Sequence, residues 1–207
     1  MKKYIAVVDF GMGNLLSASK ALDSAGGNAI VTDSRKIIEG ASAVVLPGVG
    51  AFSDAMKNLN NLRLVEPLRK AAASGKPFLG ICIGLQLLYT KSEENGAWDG
   101  LDIIPGTVVR FPKRKGLKVP QIGWNNVYRT KPCALFKGVK DGSFFYFVHS
   151  YYGIPEKRID IAATTEYGVK FASSVCRDNV LGVQFHPEKS QKAGLTILSN
   201  FVKMVKQ

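Results

Sequence analysis

Cys82 lies in Gly80-Ile81-Cys82-Ile83-Gly84, at the end of the apolar run Pro77–Cys82 and before a helical pattern of Leu85, Leu87 and Leu88. A strand that turns sharply into a helix at a nucleophile leaves this signature, with cysteine in the place that serine takes in many hydrolases. Small residues must flank it, because side chains there would meet neighbouring strands. The turn lifts the sulfur above the sheet edge, and the helix N-terminus favours the thiolate. The backbone N–H of Ile83 is then placed to stabilise an oxyanion. The same pattern also fits an inert cysteine buried between two tight-packing glycines.

A thiol nucleophile needs a general base, and the chain has two histidines, His149 and His186. His186 follows the apolar run Leu181–Phe185. This predicts a strand whose carboxyl end carries His186, on the side where open α/β sheets hold their active sites. In His186-Pro187-Glu188 an extended backbone sends residues i and i+2 the same way. Glu188 is thereby placed to set the imidazole tautomer and stabilise imidazolium. His149 ends the aromatic run Phe144–Val148 and has no carboxylate within five residues. We read His186 as the base and His149 as a structural or substrate-contacting residue. Leu46-Pro47-Gly48-Val49-Gly50 follows another apolar run. Its glycines permit close approach to a ligand, which fits either a second oxyanion donor or a plain Pro-Gly turn.

These groups need a scaffold, and the first 90 residues alternate strand with helix. Tyr4–Val8, Asn28–Thr32, Ser42–Leu46 and Pro77–Cys82 read as short buried strands. Leu15, Ala18, Leu22 and Ala25 share one helical face, closed by Gly26-Gly27, and residues 54–74 are mostly helical. The expected fold class is α/β, an open and mostly parallel sheet flanked by helices. Further on, Thr107–Phe111, Phe144–Val148, Ile161–Thr165 and Leu181–Phe185 read as added strands of that sheet with an antiparallel edge. A final helix is expected over Lys192–Val205. No repeat, low-complexity segment or linker interrupts the chain, so residues 1–207 are read as one domain.

Composition narrows the function classes. With 46% apolar residues in 207, the chain is not disordered. No apolar run reaches the ~20 residues that span a bilayer. Met1-Lys2-Lys3 is positive like a leader, but the following apolar stretch ends at Asp9, short of the ~7–15 residues a leader carries. A cytoplasmic protein is expected. Three cysteines (Cys82, Cys133, Cys176), no Cys-x-x-Cys and two histidines argue against a four-ligand zinc site or a disulfide framework. The net charge of +12 is uneven: residues 101–207 hold 17 Lys+Arg against 7 Asp+Glu. A basic nucleic-acid binder is one rival reading, carried by Arg110, Lys113, Arg114, Lys115 and Lys118, but no RNA- or DNA-binding signature accompanies that cluster.

The motifs together resemble the class I (triad) glutamine amidotransferases. Pro47-Gly48-Val49-Gly50, Gly80-Ile81-Cys82-Ile83-Gly84-Leu85-Gln86 and His186-Pro187-Glu188 occur in that family's order over nearly the whole chain. Asp9–Leu15, Val119–Asn125, Tyr146–Tyr151 and Gln184–Ser190 are similar to the subfamily of glutaminase subunits of imidazole glycerol phosphate synthase. Gln121 departs from it where histidine is commoner. The resemblance implies a Cys82–His186–Glu188 triad that hydrolyses glutamine through a glutamyl thioester. It also implies an oxyanion site at Gly50, Val49 and Ile83, with the Gly48–Val49 region reorienting before it serves. Gln86, Ser150 and Tyr151 would hold the amino-acid end of glutamine. It implies no cofactor, metal, nucleic acid or membrane. The implied partner is a (β/α)8-barrel cyclase that takes the ammonia and makes imidazole glycerol phosphate, with Trp124, Tyr146 and Lys189 facing it. Without the resemblance, those three read as two core aromatics and a surface charge. Two other readings stay open: a paralogous glutaminase serving another acceptor, and a hydrolase of a different γ-glutamyl or peptide bond.

Overall fold

The computed structural model describes residues 3–206; Met1 and Lys2 of the charged start, and Gln207, lie outside the described residues. The N-terminal half runs β1 (Ile5–Val8), α1 (Leu15–Ser24), β2 (Ala29–Thr32), α2 (Arg35–Gly40), β3 (Ala43–Gly48), α3 (Phe52–Asn61), α4 (Val65–Ala73), β4 (Phe78–Cys82) and α5 (Ile83–Leu87). There follow β5 (Tyr89–Ser92), β6 (Trp98–Asp99), β7 (Ile104–Arg110), β8 (Gln121–Arg129), β9 (Ser143–His149), β10 (Tyr151–Pro155), β11 (Ile161–Glu166), β12 (Lys170–Arg177), β13 (Val180–Val183) and α6 (Gln191–Lys206).

The main sheet is ordered β2-β1-β3-β4-β13-β12-β11-β8-β9. Its first five strands are parallel, and every pairing from β13 outward is antiparallel. Strands covered on both faces need apolar residues at successive positions, which is why Ile5–Val8 is apolar throughout. Alternation then divides them: Ile5 and Val7 pack with Leu22 of α1 and Phe201 of α6, while Ala6 and Val8 pack with Ile38, Leu59 and Leu68 of α2–α4. Asn14 caps α1 by accepting from the Ser17 N–H (3.3 Å). Gly26, at φ +80°, turns the chain away after the helix.

Two expectations need correction. Thr107–Phe111 is not a strand of the main sheet. Its residues Thr107–Arg110 belong to β7 of a separate sheet, β10-β7-β5-β6. The chain leaves the main sheet after α5, and the N–H groups of Leu101, Ile103 and Ile104 bond back to the carbonyls of Leu87 and Leu88. Tyr89 fills the small sheet. A Cβ on Gly153 would sit 2.0 Å from its ring and one on Gly106 2.8 Å, so both glycines are shaped around it. Second, the final strand ends at Val183, not Phe185. Gln184 N–H still bonds Ser173 O, but His186 N–H crosses to Tyr146 O of β9 (2.9 Å).

Candidate active site

The turn between β4 and α5 has the geometry its sequence predicts. Cys82 sits at φ 57°, ψ −110°, a strained backbone for any residue with a side chain. The flanking glycines are sterically required. A Cβ on Gly84 would lie 1.7 Å from Leu46 O, and one on Gly80 would lie 2.7 Å from Gly84 O. β3 pairs in register with β4 so that Gly48 stands opposite Cys82. The Pro47–Gly50 loop is thereby carried to Cys82, with Gly50 at φ +111°. α5 has only five residues, so local N–H groups rather than a long helix dipole act at the sulfur.

His186 and Glu188 meet by a route other than the expected one. Pro187–Lys189 is a 3-10 turn, not an extended segment. The turn curls Glu188 back, and His186 Nδ1–H donates to its Oε1 at 2.8 Å, both side chains almost completely buried. Pro suits this first turn position because its fixed φ is preorganised and its missing N–H is not needed. Nε2 is left without a hydrogen bond of ordinary geometry, beside Cys82. Burial disfavours charge on His186, but Cys82 and Glu188 outweigh it and raise its pKa to about 10.

A cavity of about 400 Å³ opens on the sulfur, and Val49, Gly50, Ile83, Gln86, Ser150, Tyr151 and Lys189 of the expected site all line it. Trp124 and Tyr146 do not. They stack edge-on outside it (6.2 Å), with Lys189 Nζ 5.8 Å from the Tyr146 ring. Trp124 is 46% exposed, so it is not a core aromatic.

Two residues given no role in the sequence analysis, and His149, read there as structural or substrate-contacting, also belong here. Gln184 is fully buried; its amide accepts from Gln86 Nε2 (3.1 Å) and donates to Cys82 Sγ (3.8 Å). It stood in the motif, but no spacing rule pointed to a role. Glu94 lines the cavity and caps α3 by accepting from Phe52 N–H (2.8 Å); burial raises its pKa. It comes from the β5–β6 loop, remote in sequence from every motif. His149 lines the cavity too. Its Nδ1–H donates to Tyr151 O (2.7 Å), its Nε2 is unpartnered, and burial lowers its pKa to about 4. It is thus a neutral imidazole, held among Phe111, Phe147 and Phe171. Gln121, the departure from the subfamily, is buried opposite it. Among the described residues no group of three His, Cys, Asp or Glu is placed to hold a metal ion, and no helix is long and apolar enough to cross a membrane.

The family model for glutamine amidotransferase class-I matches residues 6–205. The chain belongs to the class-I glutamine amidotransferases. Within them it belongs with the imidazole glycerol phosphate synthase subunits HisH. It is 54% identical over 202 residues to that of Moorella thermoacetica, covering 98% of this chain and 95% of the relative. The HisH protein of Aquifex aeolicus is 50% identical over 196 residues, covering 94% of each. Among solved structures, a glutamine amidotransferase of Thermotoga maritima superposes with a TM-score of 0.71 at 17% identity, covering 100% of this amidotransferase and 100% of that chain. PurLQS of Thermotoga maritima does so with a TM-score of 0.74 at 17% identity, covering 98% of this chain and 99% of that one. At those identities the likeness is one of fold.

Proposed function

We propose that the whole chain works as one glutaminase domain, in which Cys82 attacks the carboxamide carbon of glutamine and His186 takes the thiol proton. The carbonyl becomes an oxyanion facing the Ile83 N–H and the Val49–Gly50 backbone. As the C–N bond breaks, His186 returns the proton to the leaving nitrogen, giving ammonia and a glutamyl thioester. Water, deprotonated by His186, then releases glutamate and restores the thiol. Glu188 holds the imidazole with Nδ1 protonated, leaving Nε2 to exchange protons with sulfur. Gln86, Ser150 and Tyr151 hold the amino-acid end. Glu94 adds a carboxylate at the same cavity, suited to the substrate ammonium.

The observation that carries this reading is the strained Cys82 turn beside a buried His186–Glu188 pair. The ammonia acceptor is then a cyclase subunit docked on the β8–β9 face. In this pairing Ile122, Trp124 and Asn126 stand opposite Val148, Tyr146 and Phe144. Ile122, Trp124 and Phe144 are 64%, 46% and 57% exposed, a row of apolar groups on an edge strand pair that stands uncovered in the isolated chain. That face is stitched to the catalytic turn. His186 N–H donates to Tyr146 O, Tyr146 N–H donates to Ser190 Oγ, and Ser190 Oγ–H donates to His186 O. Docking there has a short route to the base.

The test is a glutaminase assay with and without a matched cyclase and its nucleotide ligand. Stimulation by the complex is expected, and Cys82→Ala should abolish glutamine-dependent turnover while ammonia still drives the cyclase. Glutamine hydrolysis surviving in Cys82→Ala would overturn the nucleophile. Equal activity with and without every cyclase tried would overturn the partner.

A further inference from the structure

Tyr151 supplies the fixed point of a chain of hydrogen bonds that ends at the Cys82 sulfur. Its backbone carbonyl can only accept. It takes one bond from His149 Nδ1–H of β9 (2.7 Å) and one from the Gln86 side chain of α5 (2.9 Å). The Gln86 atom facing it must therefore be Nε2. The second hydrogen of that amide meets the Gln184 side chain at 3.1 Å. An amide nitrogen is no acceptor, so the Gln184 atom there must be Oε1. Gln184 Nε2 is left to face Cys82, where its N–H donates to Sγ at 3.8 Å. One carbonyl thus orients two amides in succession. Neither can flip without setting like groups against each other.

Both amides are buried and anchored. Gln86 is 3% exposed and Gln184 0%. Gln184 N–H of the backbone bonds Ser173 O of β12, and Gln86 sits in the helix that follows the Cys82 turn. A fixed donor acts more strongly on a charge in such a low-dielectric setting than in water. A hydrogen bond given to an ionisable group favours its anionic form, so a donor held at Sγ favours the thiolate over the thiol.

We propose that the Gln184 side-chain N–H stabilises the Cys82 thiolate and that Gln86 positions that donor, tying the Tyr151 backbone of the substrate site to the sulfur. The proposal rests on the reading of Cys82 as the nucleophile. Gln184 acts on the sulfur directly; Gln86 acts through Gln184. His186, with Glu188 behind it, faces the same sulfur, and His149, Tyr151, Glu94 and Lys189 line the cavity around it. All six stay in place when only the two glutamines are changed, so a shift between pH profiles reports the amides.

The experiment follows alkylation of Cys82 by iodoacetamide in the full chain from about pH 5 to 10, with peptide mapping to separate it from Cys133 and Cys176. Gln184→Met, unbranched and of similar length, removes the donor. The pH of half-maximal alkylation should rise by about one unit. Gln86→Met leaves the donor but frees it to turn, and should give part of that rise. The double variant should shift no further than Gln184→Met alone, because the two residues act as one unit. A purely structural role for Gln184 would lower Tm without moving the profile. An unchanged profile in either single variant overturns the proposal, as do additive shifts in the double variant. If Gln184→Met does not fold, Gln86→Met decides alone. Glutamine hydrolysis surviving in Cys82→Ala while the shifts are present would overturn the nucleophile and not the hydrogen-bonded relay.

Discussion

The turn that holds His186 and the strand end that holds His149 are neighbours in the same buried end of the molecule, yet they treat an imidazole in opposite ways. Burial pushes both toward the neutral form. At His186 a carboxylate and a thiol face the two ring nitrogens, and the pKa rises to about 10. At His149 the one partner is a backbone carbonyl, three aromatic rings surround it, and the pKa falls to about 4. Burial alone therefore does not set the basicity of a ring. What sets it is the pair of groups the backbone delivers, and on that ground His186 is the proposed base.

Removing the proposed base tests the comparison most severely. His186→Ala should lower kcat for glutamine by at least about 10³-fold with little change in fold. His149→Gln should leave far more activity, because its ring has no carboxylate behind it. A larger loss in His149→Gln than in His186→Ala would reverse the assignment. Glu188→Gln should fall between the two, with a loss some ten- to hundred-fold smaller than that of His186→Ala, since an orienting group contributes less than the base it orients. Steady-state kinetics of the complex at saturating glutamine reads all three.

The two shifts also predict opposite arms of a stability–pH profile. His186 has its folded pKa raised above the unfolded value near 6.5. Its contribution is complete below pH 6.5 and is lost as pH rises toward 10. His149 has its folded pKa lowered. Its contribution is complete above pH 6.5 and is lost as pH falls toward 4, by up to about 3 kcal/mol. Urea unfolding from pH 4 to 10 should show a dome. His149→Gln should flatten its acid arm and His186→Gln its alkaline arm. An acid arm unchanged in His149→Gln would mean that this ring is charged, or exposed, in the folded protein.

The same contrast explains what was legible before the structure. Gly80-x-Cys82-x-Gly84 encodes a steric fact, that Cβ atoms at the glycines would strike Leu46 O or the α5 backbone, so the elbow could be read from residue types alone. His186 and Glu188 were readable as a pair because they are two residues apart. The backbone that joins them was not, since an extended segment and a 3-10 turn both bring i and i+2 close. The parallel strands β1, β3 and β4 were plain because burial on both faces demands unbroken apolar runs. Thr107–Phe111 has an equally apolar look, and nothing in it tells which sheet it joins. That depends on Tyr89 packing against Gly153, far away in sequence. Glu94 and His149 reach the cavity, and Gln184 reaches Gln86 and Cys82 beneath it, only through tertiary pairing, so spacing could not assemble them. Within the basic segment after residue 100, one charge serves a loop contact: the Arg114 guanidinium donates to Gly168 O.

Moving outward from the histidines, the β8–β9 face separates apolar from electrostatic contributions to docking. Trp124 offers a large, half-exposed ring supported edge-on by Tyr146. Trp124→Ala should weaken the cyclase complex by about 10- to 100-fold, mostly through faster dissociation. Lys189 is different. Its ammonium lies over the Tyr146 ring at the rim, and it belongs to the turn that holds His186 and Glu188. A rim charge steers association more than it holds the complex together. Lys189→Ala should therefore slow association only a few-fold, and the difference from wild type should shrink at high salt as the charge is screened. Because Tyr146 is bonded to His186 through the backbone, the variant should also reduce stimulation of the glutaminase by the bound cyclase. Stopped-flow binding and stimulated turnover measure the two effects separately. A variant that binds more slowly yet is stimulated in full would confine Lys189 to steering and leave the Tyr146 backbone as the link to the base.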